Sequence, residues 1–217
     1  MKHLIITILL FILMQLSLSN NINCYNDKNS SVDWWMILKI PYTKDISTGY
    51  EYVYYDNNTI DKTFNIHSGS LNDTVNPLYY TLTQLNKYKD TGYYLYNDEP
   101  FPTKNDNGYD YSFGHTKGSL QFDKNGGYWI THSIPRFPPI PTIKYYYPEN
   151  EIEYGQSAMC LNINFDQLDI IGKQLRYTKP NVFNFNIPDE YDLPETKLLV
   201  KQIWHILHLL ALVYFQT

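Results

Sequence analysis

Positive charge is scarce in this chain. Lys and Arg number 17 against 22 Asp and Glu, a formal net charge of −5 at pH 7 with His neutral. That balance gives poor steering toward nucleic acid at neutral pH. Charge of either sign is sparse, at 18% of residues, while apolar residues reach 43% and aromatics 17%. Such a mix excludes a disordered, self-repelling chain and points to a folded β-rich or α/β protein. No acidic cluster has the form of a cation cage, and no internal repeat is found. Cysteine is down to two residues in the whole chain, Cys24 and Cys160, both beyond the leader described below. A single pair can only join each other or stay free.

What is present is 22 Tyr and six His in 217 residues, a length that suits one sizeable domain or two small ones. Imidazoles titrate near pH 6.5, so in an acidic compartment the histidines cancel much of the negative balance. The chain opens with Lys2, an apolar run from Leu4 to Leu16, and small residues at Ser17 and Ser19. The run is short for a membrane span. Residues 1–19 therefore read as a secretory signal, cut near Ser19–Asn20. Secretory entry permits disulfides, and a Cys24–Cys160 bridge clamping the mature N-terminus is expected to add roughly 4 kcal/mol. Three N-x-S/T sequons, at Asn29, Asn57 and Asn72, suggest a glycoprotein.

Strands are expected at Val32–Tyr42 and Tyr50–Asp56, joined as a hairpin, and at Gly92–Asp98 and Gly155–Phe165. Asn76-Pro77 reads as an N-cap and first helical residue, and residues 166–177 read as a helix with Leu168, Ile171 and Leu175 on one face. Asp33, Trp34 and Trp35 read as structural, and residues 178–195 as extended loop. Residues 191–217 form an apolar tail. It carries His205 and His208, with no third metal ligand nearby, and reads as a terminal helix or a short membrane-seeking segment.

One short stretch, Gly114-His115-Thr116-Lys117-Gly118, carries chemistry. In an extended strand His115 and Lys117 share a face, and the flanking glycines leave that face uncrowded. A titratable ring beside a fixed positive charge suits a phosphate. Downstream, Asn125-Gly126 between two alternating runs predicts a two-residue hairpin turn. That register pairs Ser119 with His132 and Lys117 with Ile134. His115, Lys117 and His132 then share one side, with Leu120, Phe122 and Trp129 on the other. Arg136, just past the hairpin, is placed to touch a phosphate but reads better as a solvated loop residue.

The segments that include "YNDEP", "GHTKG", "GGYWITHSIPRFPP", "YGQSAMCL" and "GKQLRYTKPNVFNF" resemble the deoxyribonuclease II family, in the family's order and over most of the mature chain. The resemblance implies an α/β fold, a phospholipase D-like half-unit with a mixed β-sheet and flanking helices, spanning residues 20–190. It implies an acid, metal-independent endonuclease, without cofactor, that cleaves DNA to 3′-phosphate ends. His115 and Lys117 match the first of two H-x-K motifs, and His132 matches a histidine in or beside the site. The resemblance also implies the Cys24–Cys160 bridge and a lysosomal or secreted protein. In such sites one imidazole attacks phosphorus, a second protonates the leaving oxygen, and lysines hold the non-bridging oxygens.

This chain contains one H-x-K. None of His67, His205 or His208 has a lysine two residues on. Half of the expected site is therefore present, and whether the chain is an enzyme stays open. Three readings follow. Two copies share a site as a homodimer about a twofold axis. Or the chain is an inactive, truncated relative that at most binds DNA. Or the sequence is incomplete and its apolar tail is not family-like.

Overall fold

A computed structural model describes residues 22–59, 66–67, 69–100 and 112–201. The expected signal segment, His205 and His208 lie outside the described residues. The strands are β1 (Cys24–Tyr25), β2 (Ser31–Val32), β3 (Trp34–Lys39), β4 (Tyr52–Asp56), β5 (Ile66–His67), β6 (Gly92–Asn97), β7 (Lys117–Asp123), β8 (Gly126–His132), β9 (Gln156–Ile163) and β10 (Val182–Asn186). The helices are α1 (Pro77–Leu82), α2 (Gln84–Lys87), α3 (Leu168–Thr178) and α4 (Pro194–Val200).

Eight strands form one sheet in the order β10-β6-β7-β8-β9-β3-β4-β5, and β1 pairs with β2 apart from it. The α/β class matches expectation, while the sheet is antiparallel at every pairing among the described residues rather than mixed. Side chains alternate between its two faces. One face buries Trp35, Ile37, Leu95, Tyr128, Ile130 and Cys160 beneath α1, α2 and the loops that carry Leu71, Phe137 and Tyr147. The other buries Tyr94, Tyr96, Leu120 and Phe122 beneath Leu168 and Leu175 of α3 and Leu199 and Val200 of α4. The result is a central sheet with packed layers on both sides.

Local chemistry sets several of these elements. Asn76 caps α1, its Oδ1 accepting from Tyr79 N at 2.8 Å, with Pro77 at the first helical position. Cys24 of β1 is bonded to Cys160 of β9, with Cα atoms 5.9 Å apart, so the N-terminal segment is tied to an interior strand. The β3–β4 hairpin forms as the alternation predicts, with Ile37 opposite Tyr54.

Two expectations change. The segment after α3 is not loop throughout. Val182–Asn186 adds to the sheet as β10 beside β6, and Pro194–Val200 forms α4. Only the added edge gives β10's backbone its partners, and an Asn-rich run with irregular alternation does not announce that. Tyr191, Leu193, Leu199 and Val200 are buried in the second core, so the described part of the expected tail packs onto the domain. No helix among the described residues is long and apolar enough to cross a membrane.

The β7–β8 turn is the second change. Asp123 pairs with Gly126, leaving Lys124 and Asn125 as the loop. Asp123 Oδ1 accepts from Asn125 N at 2.8 Å, an Asx turn that starts the reversal one residue early, and Gly126 takes a left-handed φ of 121°. Lys117 therefore faces His132, and Ser119 faces Ile130. The shift changes partners but not faces.

Candidate active site

The site is built where β6 ends and β7 begins. Asn97, Lys117, His132 and Ala158 lie directly opposite one another in successive strands, and so project from one face in a row. Asp98 follows β6 and reaches two partners. Its Oδ2 lies 2.7 Å from His115 Nδ1, and its Oδ1 accepts from the ammonium of Lys117. A carboxylate only accepts, so His115 donates from Nδ1 and presents Nε2 as its basic nitrogen.

The two members of the motif differ in setting. His115 lies just before β7 in a bend, not in the strand, and its side chain is 85% exposed. Lys117 opens β7 and its side chain is 2% exposed. His115 lies outside the strand, so strand alternation does not set their relation; Asp98 joins them instead. The glycines also serve a different end. A Cβ on Gly114 would stand 1.9 Å from Thr178 O, and one on Gly118 would stand 2.4 Å from the Tyr96 hydroxyl. Both positions are pressed against neighbouring chain, so they set the loop's seat and the strand's packing rather than clearing a face for a ligand.

His132 is buried opposite Lys117. Its Nδ1 accepts from Ile134 N at 3.1 Å, which puts the ring proton on Nε2. That nitrogen has no hydrogen-bond partner among the described residues. The ring meets Phe137 edge-on at 5.6 Å. Burial, helped by the neighbouring charge of Lys117, pushes its pKa down to about 3. This imidazole is neutral at mildly acidic pH and is no ready proton donor.

A buried carboxyl, Glu151, stands near this array. Gln156 Nε2 and Asn150 Nδ2 donate to it at 3.2 and 3.1 Å. Burial raises its pKa, Glu99 adds to the rise, and Arg136, Lys117 and Lys39 oppose it. Lys39 is buried too, giving its ammonium to the carbonyls of Gly49 at 2.9 Å and of Ile40 and Ile152 at 3.2 Å. Burial lowers its pKa to about 8.

Sequence reasoning named His115, Lys117 and His132 but gave Asp98 no role. Asp98 is 17 residues before His115, across a Pro/Asn loop, so no local spacing links them. The available signals were its place at the end of a strand pattern and within the family-like segment YNDEP. Of the sequons, Asn29 and Asn72 are exposed and Asn57 is half-buried, accepting from Asp33 N at 3.0 Å.

Comparison with known proteins gives a consistent result. A family model described as Deoxyribonuclease II matches residues 23–207. Deoxyribonuclease-2-beta of Homo sapiens is 37% identical over 176 residues, covering 77% of this chain and 47% of that protein. Deoxyribonuclease-2-alpha of Mus musculus is 33% identical over 198 residues, with coverages of 86% and 54%. Deoxyribonuclease-2 of Caenorhabditis elegans is 32% identical over 212 residues, with coverages of 83% and 56%. The chain spans about half the length of the curated relatives it matches.

Proposed function

This chain belongs to the deoxyribonuclease II family, and from that membership we propose that it supplies one half of an active site that hydrolyses DNA phosphodiester bonds. The observation that carries the reading is the Asp98 bridge. It fixes the His115 tautomer and couples that exposed ring to a buried ammonium.

In the proposed reaction, His115 Nε2 attacks phosphorus. The bond from phosphorus to the 5′ oxygen breaks, and a phosphohistidine carries the 3′-phosphate strand. A second imidazole protonates the departing oxygen, and water then displaces His115 to release the 3′-phosphate end. Lys117 has three ammonium protons and gives one to Asp98; the others and its charge oppose the negative charge that builds on phosphate. This scheme assigns His132 no proton transfer, in keeping with burial and the neighbouring Lys117 charge holding its pKa low. The second imidazole and lysine come from outside this motif, through a second copy of the chain about a twofold axis or through a partner half. No metal or cofactor has a role in this scheme.

The protein passes through the secretory pathway to a lysosomal or extracellular site in this reading, with N-glycans on its sequons. The apolar leader and the oxidised Cys24–Cys160 pair support that route. A second reading is DNA binding without turnover, which rests on the one H-x-K among residues 1–217.

The test is plasmid cleavage at pH 5 in EDTA, with native mass measured on the same sample. Cleavage by a dimer, abolished in His115→Ala, supports the shared site. Retention of DNA by an inactive monomer supports the second reading and ends the first.

A further inference from the structure

The loop after β8 holds a residue that the scheme above does not use. Residues 97, 98 and 99 leave β6 in succession, and each grips something different. Asn97 Nδ2 donates to Ile134 O at 3.0 Å and to Phe137 O at 2.8 Å. Asp98 holds His115 and Lys117. Glu99 O accepts from Arg136 N at 2.8 Å. The same three residues thus fix both the catalytic pair and the loop that bears Arg136, so the distance between them is set by the backbone.

Arg136 has a φ of 55°, in the left-handed region that residues with a Cβ seldom occupy. Such strain persists where surrounding contacts impose it, and it clusters at functional sites. Here the Asn97 and Glu99 bonds impose it. The side chain is exposed and lines an open cleft of about 520 Å³ with Asn72, Tyr146 and Tyr147. Arg136 is the one cation among the described lining residues, and Glu149 is the one anion. Tyr146 is half-buried, and the Arg136 charge partly offsets the effect of that burial on its phenol.

A cation and an aromatic ring beside each other in an open cleft match the demands of a single nucleic-acid strand. Guanidinium pairs with phosphate in a fixed geometry, and a tyrosine ring accepts any base on its face. Successive phosphates of a strand are a single nucleotide apart, so a neighbouring phosphate is always close to the one being cleaved. We propose that this cleft is a flanking-nucleotide subsite, in which Arg136 holds a phosphate beside the scissile one and Tyr146 receives a base. The subsite rests on the DNA-cleaving reading above and adds a residue to it that recognises the substrate.

The experiment measures binding, not turnover. A labelled single-stranded oligonucleotide is titrated at pH 5 in EDTA by fluorescence anisotropy, over a range of salt concentrations. The protein carries His115→Ala to prevent cleavage and is titrated with its N-glycans in place and again after their removal, because Asn72 stands on the cleft rim; binding seen only after removal overturns the subsite. Arg136→Asn suits the left-handed backbone, so it removes the cation without disturbing the loop. It is expected to weaken binding about tenfold and to lower the salt slope by about 0.7. Arg136→Lys keeps the slope, and Tyr146→Ala weakens binding with the slope unchanged. Equal affinity and slope in Arg136→Asn, with the parent still binding DNA, overturns the subsite alone. Failure of the parent itself to bind overturns the DNA reading and the subsite together.

Discussion

Lys117 and His132 face each other across the β7–β8 ladder, both buried, and burial together with the neighbouring ammonium keeps the imidazole neutral. Desolvation is the larger cause, since a charged ring there would lose water without gaining a partner for Nε2.

That relationship predicts an acid-side loss of stability. His132 has a folded pKa near 3, below the ordinary 6.5. The unfolded state therefore binds a proton between those values while the folded state does not. Protonation favours unfolding as pH falls through that window, and the loss reaches about 2 kcal/mol by pH 5. His132→Asn keeps an acceptor near the Nδ1 position and removes the titration. Urea unfolding at pH 7 and pH 5 is expected to show the parent losing about 2 kcal/mol more than the variant. A His132 ring titrating near pH 6.5 by NMR in the folded parent contradicts the assignment.

Asp98→Asn tests the bridge. It leaves the nearly inaccessible Lys117 without its counter-charge, and removing one partner of a buried pair costs about 3 kcal/mol. It also frees His115 from its fixed tautomer, so cleavage at pH 5 is expected to fall by about 100-fold or more. The double variant Asp98→Asn/Lys117→Met separates the two effects. Denaturation should show most of the stability returning while activity stays low. Parental activity in the single variant would remove Asp98 from the site.

Gly114→Ala probes how the His115 loop is seated. Gly114 N donates to Lys179 O at 2.8 Å, and its Cα faces Thr178 O with no room for a methyl group. The loop must shift away from the end of α3, at a cost of about 1–3 kcal/mol. The expected readouts are a lower unfolding midpoint and weaker cleavage, with the His115 NMR signals displaced. An unchanged spectrum and midpoint would show that the loop is not held there.

Much of this architecture was legible from local pattern. The β3–β4 hairpin, α1 with its Asn76 cap, and α3 follow from alternation, capping residues and helical period, each of which acts within a few residues. The shared face of Lys117 and His132 also survived an error in the turn. A shift of two residues in register changes which residues pair but not which face they occupy. β10 and α4 were not legible, because each exists through contacts with elements distant in the chain. β10 takes its hydrogen bonds from β6, and α4 packs against α3 with Thr196 N donating to Asp169 Oδ1 at 2.9 Å.

The amino-acid order by itself determined which chemical groups exist and how they are spaced along each strand. It set one H-x-K, one cysteine pair, and the parity that puts Lys117 and His132 on a common face. Only the folded structure decided their surroundings. It brought Asp98 across a long loop to join an exposed ring to a buried ammonium, it desolvated His132 beside that charge, and it seated Arg136 on the segment that holds them. The physical reason is range. Strand parity and capping are properties of neighbours in sequence, whereas burial and charge pairing depend on groups that meet only when the sheet closes.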